Sequence, residues 1–180
     1  MGSLAGTNYG QITRCAAAET EVRGAANVGG LVGYNSGSIT RSSAAGNTTG
    51  LGLSLSSYAG GLVGSNRGIV THSYARGSVA GLTIGGLVGH NQNHNNGVIR
   101  ASYAAVTLTG AGNRGGLTGL NLGSVSESYS DQQVAGRIYG AGLHRSTADM
   151  KQATTYVGWN FIDIWDMDSF INDGYPFLRQ

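Results

Sequence analysis

The sequence predicts an all-β fold, a right-handed parallel β-helix (β-solenoid) of about five coils with a C-terminal aromatic cap containing a short helix. Three observations lead there: a glycine-rich word that recurs in register, 32 glycines against one proline in 180 residues, and aromatic side chains crowded at the C-terminus. The word reads GGLVGYN at 29–35, GGLVGSN at 60–66, GGLVGHN at 85–91 and GGLTGLN at 115–121, with starts 31, 25 and 30 residues apart. A worn copy, Gly140-Ala141-Gly142-Leu143, begins 25 residues after the last. Self-similarity at such a period marks a stack of equivalent supersecondary units, none of which buries its apolar face alone.

A second word follows each copy: GSITRSSA (37–44), GIVTHSYA (68–75), GVIRASYA (97–104) and GSVSESYS (123–130). A further instance, GQITRCAA (10–17), lies behind only a remnant of the first word, so the sequence predicts that the native solenoid continues at its N-terminus. Each unit closes in a looser segment around a valine, as in RGSVAG (76–81) and QQVAGR (132–137).

Comparing the units position by position assigns faces. Ile12, Ile39, Val70, Ile99 and Val125 are β-branched throughout and point inward. Arg14, Arg41, His72, Ala101 and Glu127 vary freely, which predicts exposure to water. Cys15, Ser42, Ser73, Ser102 and Ser128 are always small. Strict alternation would turn the small row away from the apolar one, so a corner or bulge is expected between them. Three strands per coil would enclose a flattened triangular core, with parallel stacking at roughly 4.8 Å turning each position into a ladder and right-handed coiling following from crossover bias. The expected ladders are Leu31/Leu62/Leu87/Leu117, the Ile/Val row, Tyr74/Tyr103/Tyr129, and Asn35/Asn66/Asn91/Asn121 exchanging amide hydrogen bonds. Glycine would permit positive φ at corners and close approach between coils. A phosphate loop is excluded because no copy carries the Gly-Lys-Ser/Thr ending that opens a helix.

Residues 1–143 are thus repeats with a truncated first coil, and 144–180 form a capping segment of the same domain. Ser146-Thr147-Ala148-Asp149 has capping-box spacing and predicts a short helix to about Ala153. Both tryptophans, all three phenylalanines and two of nine tyrosines lie in the final 25 residues. The expectation is that this block covers the open end of the last coil, which would otherwise expose apolar side chains and backbone edges.

The recurring GGLVGxN followed by G-x-I/V-x-x-S-Y-A resembles the GLUG motif, over residues 5 to 180. The resemblance implies a secreted β-solenoid belonging to large secreted or surface-anchored bacterial proteins, among them filamentous-haemagglutinin-like adhesins and the non-catalytic parts of immunoglobulin A protease-like proteins. It brings no catalytic residues with it.

Composition narrows the function classes. Only 11% of residues are charged and the net charge of +2 is scattered, so no basic stripe for nucleic acid exists. No apolar run approaches the length of a membrane span, and MGSLAGTN lacks the features of a secretion signal. Between Val22 and Ser126 there is no Asp or Glu; Glu127 and Asp131 make no evident catalytic pair, which argues against a carbohydrate-active enzyme. Cys15, in the small interior row, reads as a buried inert thiol. His90 and His94 lack a third metal ligand nearby, and Asp163, Asp166, Asp168 and Asp173 read as turn and capping residues rather than a calcium loop. The row Thr13, Thr40, Thr71, Arg100, Ser126 is too mixed for a regular ice-binding face. No cofactor is expected. The loop candidate for contact with an outside partner, a host or surface glycan or protein, is the insertion carrying His90, Asn91, Gln92, Asn93, His94, Asn95 and Asn96. The expected role is a non-enzymatic adhesive or stalk segment, with ice binding as the alternative and a β-helix enzyme behind it.

Overall fold

The computed structural model describes residues 1–92, 97–136 and 138–179. The chain winds as a parallel β-solenoid with four sides per coil. Sheet one stacks Ala5–Asn8, Val32–Asn35, Val63–Asn66, Val88–Asn91 and Thr118–Asn121. Sheet two stacks Gln11–Thr13, Ser38–Thr40, Ile69–Thr71, Val98–Arg100 and Ser124–Ser126. Sheet three holds Ala16–Gly24, Ser43–Gly50, Tyr74–Ala80, Tyr103–Thr109, Tyr129–Asp131 and Leu143–Arg145. Sheet four is narrow, made of Val28–Gly29, Tyr58–Gly60, Thr83–Gly85 and Arg114–Gly115. Four complete turns result, followed by three strands of a fifth and by Leu143–Arg145 at the end of sheet three, slightly short of the five coils expected.

The fourth side corrects the triangular coil expected from three words per unit. Its strands end on the first glycine of the GGLVG word, and they form a side of their own because the chain turns twice within a few residues. At the second turn the amides of Leu31 and Val32 both donate to Leu62 O (2.9 and 3.1 Å), a bend that lets two successive apolar residues point inward. The same fork recurs from Leu62 and Val63 to Leu87 O and from Leu87 and Val88 to Leu117 O. The second glycine is required by proximity: a Cβ on Gly61 would overlap the carbonyl oxygen of Gly86 in the next coil, and one on Gly86 that of Gly116. None of the glycines in the word has positive φ, so that part of the expectation fails.

Left-handed backbone instead occupies the corner between sheets two and three, at Arg14 (φ 54°), Arg41 (49°), His72 (47°), Ala101 (46°) and Glu127 (47°). This is the expected corner, and it is why Ile39 and Ser42, three residues apart, both face the interior. A non-glycine residue there costs about 1–2 kcal/mol. The small row offsets that cost with hydrogen bonds. Ser42 N donates to Ser73 Oγ (3.2 Å), Ser73 N to Ser102 Oγ (3.1 Å) and Ser102 N to Ser128 Oγ (3.2 Å). Each hydroxyl in turn donates to the carbonyl two residues back, as Ser73 Oγ does to Thr71 O at 2.8 Å. The corner residues are not uniformly wet, because Ala101 is buried under the C-terminal segment.

The interior is filled by the expected rows. Leu31, Leu62, Leu87 and Leu117 are buried, as are Ile39, Val70 and Ile99, with Ala44, Ala75 and Ala104 opposite. In the first four coils the segments read as loose are the second halves of sheet three strands, where Val22, Val79 and Leu108 point inward, whereas QQVAGR opens as a helix. Burying each large aliphatic side chain contributes roughly 1.5–3 kcal/mol.

The C-terminal end of this core is closed by α1 (Gln132–Ala135), capped by Asp131, with Ala135 and Ile138 against the apolar interior. The aromatic segment lies elsewhere. After Ser146 caps α2 (Thr147–Met150), shorter than expected and followed by a 3-10 turn at Ala153–Thr155, the chain packs on the outer face of sheet three. Tyr156, Trp159, Trp165 and Tyr175 form a second core with Tyr103, Tyr129, Ala101 and Ala105. Alternation explains it: Ala75 and Ala104 face inward, so Tyr74 and Tyr103 face outward and need a cover. The cap therefore shields a flank, and the end of the coil is closed by α1.

Candidate functional site

The insertion after GGLVGHN begins inside the coil. Asn91 is buried and belongs to the asparagine ladder, which runs Asn8 Nδ2 to Asn35 Oδ1 (2.7 Å), Asn35 to Asn66 (2.8 Å), Asn66 to Asn91 (2.8 Å) and Asn91 to Asn121 (2.9 Å). Its amide is fully engaged with Asn121 Oδ1 and Gly97 O, so it is not a loop residue open to contact. Gln92 donates to Ser65 Oγ at 2.7 Å. The His90 ring lies 4.5 Å from that of Tyr58, and its buried nitrogens have no hydrogen-bond partner among the described residues. Burial holds its pKa below the ordinary 6.5, which favours the neutral ring. Asn93, His94, Asn95 and Asn96 lie outside the described residues.

Most of the carboxylates are committed to structure. Asp131 is fully buried: Oδ1 accepts from Gln133 N (2.9 Å) and Val134 N (3.0 Å), and Oδ2 accepts from Tyr175 Oη (2.7 Å). Burial first, then that hydrogen bond, push Tyr175 well above its usual range. Glu127 pairs with Arg100 at 3.2 Å, while its carbonyl accepts the Trp159 indole N–H at 2.8 Å. Asp163 accepts from Asn160, Asp166 pairs with Arg179 (2.9 Å), Asp168 accepts from Phe170 N, and Asp173 pairs with Arg76 (2.6 Å). Each of the four has its own partner, and no three metal-ligating side chains converge among the described residues.

A different place gathers uncommitted chemistry. Where the tail reaches the first coils it leaves a groove of about 480 Å³, lined by Arg14, Cys15, Ala16, Arg41, Ser43, Tyr74, Phe177, Leu178 and Arg179. Arg14 and Arg41 are successive members of the left-handed corner row. Neither has a carboxylate partner among the described residues. His72, next in that row, is held below the ordinary 6.5 by burial first and then by Arg41 and Arg100, with Glu127 opposing. Tyr74 stacks on Tyr103 (centroids 5.1 Å, planes 5° apart), but its neighbour in the preceding coil is Ser43, so the stack of rings ends at the groove. Cys15 is only half-buried and also lines it; its thiol lies 3.5 Å from Thr13 O. This corrects the expectation of a buried thiol. The groove escaped sequence reading because it joins the first coils to residues more than 100 positions away.

Among the described residues no helix is long and apolar enough to cross a membrane. Residues 24–49 match the family model described as the GLUG motif. A search of curated proteins gave no match. Among solved structures the chain is similar to a Bacteroides ovatus protein provisionally assigned as an immunoglobulin A1 protease, with 21% identity and a TM-score of 0.72 over 94% of this chain. The aligned part spans 57% of that protein's chain, and at this identity the likeness speaks for the fold alone. The copy at 29–35 lies within the GLUG match, and the chain is a parallel β-solenoid in which that word recurs three more times.

Proposed function

We propose that this chain is a non-enzymatic adhesive segment of a larger secreted bacterial surface protein. The GLUG motif, and a fold matching 57% of a bacterial neighbour, support a solenoid segment of a larger protein. One observation carries the adhesive part: Asp131 and Glu127, the carboxylates nearest the last repeat word, are tied into a cap and an ion pair, while the groove keeps two guanidiniums without carboxylate partners beside an aromatic face. Unbroken ladders also give the stiffness a stalk requires. A proteolytic role belongs to the neighbour's assignment and has no support from these side chains. Ice binding draws less support, because the outer face of sheet two sets Ile69 and Val98 beside Thr71 and Arg100, and Arg100 is tied to Glu127.

The test is a glycan array probed with the labelled chain, alongside a thermal-hysteresis assay. Binding confined to a chemically related set of glycans, with hysteresis no greater than an albumin control, is expected. No binding to any glycan would reduce the chain to a passive stalk, and clear hysteresis would move it to the ice-binding class.

A further inference from the structure

We infer that the groove between the first two coils and the returning tail is a binding site for an acidic sugar, a pyranose bearing a carboxylate. The inference rests on the adhesive reading and gives it a ligand class. Four features converge on the groove. Arg14 and Arg41 stand on adjacent coils at the same corner position, each projected by a left-handed backbone, and neither has a carboxylate partner among the described residues. Two guanidiniums so placed present paired donors to one carboxylate, the geometry at which arginine exceeds lysine. Arg179, on the opposite wall, already pairs with Asp166, so the local balance among these four groups stays positive.

Tyr74 supplies the second feature, the end ring of a stack that stops at Ser43. Trp165 leans on that ring at a tilt, centroids 6.2 Å apart, and the part of the ring that lines the groove is a platform for the apolar C–H face of a pyranose, whose hydroxyls then point outward to polar groups. The third feature is the Ser43 hydroxyl, which lines the same groove. The fourth is the apolar wall of Phe177 and Leu178, which lowers local water content and strengthens the charge contact. A bare anion would use the guanidiniums and leave Tyr74 idle, and a neutral sugar would do the reverse. A sugar carrying a carboxylate uses both.

The test is calorimetric titration at pH 7 with four probes: a hyaluronan tetrasaccharide, its carboxyl methyl ester, chitotetraose and tetraglutamate. Only the first is expected to bind measurably, more weakly as salt rises. Arg14→Gln with Arg41→Gln should weaken it at least tenfold, Tyr74→Ser similarly, and Tyr74→Phe little, with circular dichroism unchanged in each variant. Equal binding of the methyl ester, equal binding of tetraglutamate, or a double variant with wild-type affinity would each overturn the inference. On the glycan array, retained binding by the double variant removes the groove and leaves the adhesive reading, whereas a wild-type chain that binds no glycan removes both.

Discussion

At Asp131 a single buried carboxylate holds together two parts of the molecule far apart in sequence. It caps α1, which closes the coil, and it accepts from Tyr175 in the returning tail. Asp131→Ala should cost about 2–4 kcal/mol in urea unfolding, the sum of a lost cap and an orphaned buried hydroxyl; a loss below half a unit would show the latch to be incidental. The corner row gives the opposite sign. Arg41 has φ 49°, so Arg41→Gly should stabilise the fold by about 0.5–1 kcal/mol. The two shifted histidines set a pH dependence. Both His72 and His90 bind protons less readily folded than unfolded, so stability rises with pH through the window just below 6.5 and flattens above it. The urea midpoint should therefore fall between pH 7 and 5.5, and His72→Asn with His90→Asn should shrink that fall. A double variant with the wild-type slope would refute this account of it.

Among the elements, the ladders were legible and the corners were not. Leu31/Leu62/Leu87/Leu117 and the asparagine row could be read because the units serve as one another's comparison, and the structure adds Asn8 to the second of these. The left-handed corner was placed to within a residue, but its occupants could not be foreseen, because they range from Arg to Ala to Glu with no glycine to mark them. The fourth side was hidden for a related reason: strands of two or three residues leave no alternation to detect. The asparagine ladder makes a graded prediction. Asn66 has ladder bonds on both sides and none of its surface exposed, whereas Asn8 has a ladder bond on one side only and is slightly exposed. Asn66→Ala should cost about 2–4 kcal/mol and Asn8→Ala less than about 1 kcal/mol. Equal costs in chemical denaturation would mean that the amides act singly and not as a stack.

For the whole molecule, the path of the last 35 residues organises everything else. The sequence marks them as a cap through their aromatic content and assigns them to the open coil end, whereas they cover the outer face of sheet three, which calls for apolar cover as well. Tyr103 decides it: facing outward, fully buried, it donates to Pro176 O at 2.8 Å and accepts from Asn172 Nδ2 at 2.8 Å, so the flank is where the tail belongs. Arg76, bridging Asn172 and Asp173 and lying 4.4 Å over the Tyr175 ring, fixes the next coil to it. A chain ending at Arg145 should keep its β-type circular dichroism while unfolding at lower urea and binding an apolar dye through the bared Tyr103 and Tyr129 face. The proposed sugar groove exists only if the tail completes that path to the first coil. The most direct measurement uses the single native thiol: a nitroxide on Cys15, with paramagnetic broadening read at backbone amides. The amides of Phe177, Leu178 and Arg179 should broaden far more than those of Tyr139 and Gly140 at the closed end of the coil; tail amides no more broadened than those at the closed end would mean that the tail does not reach the first coil.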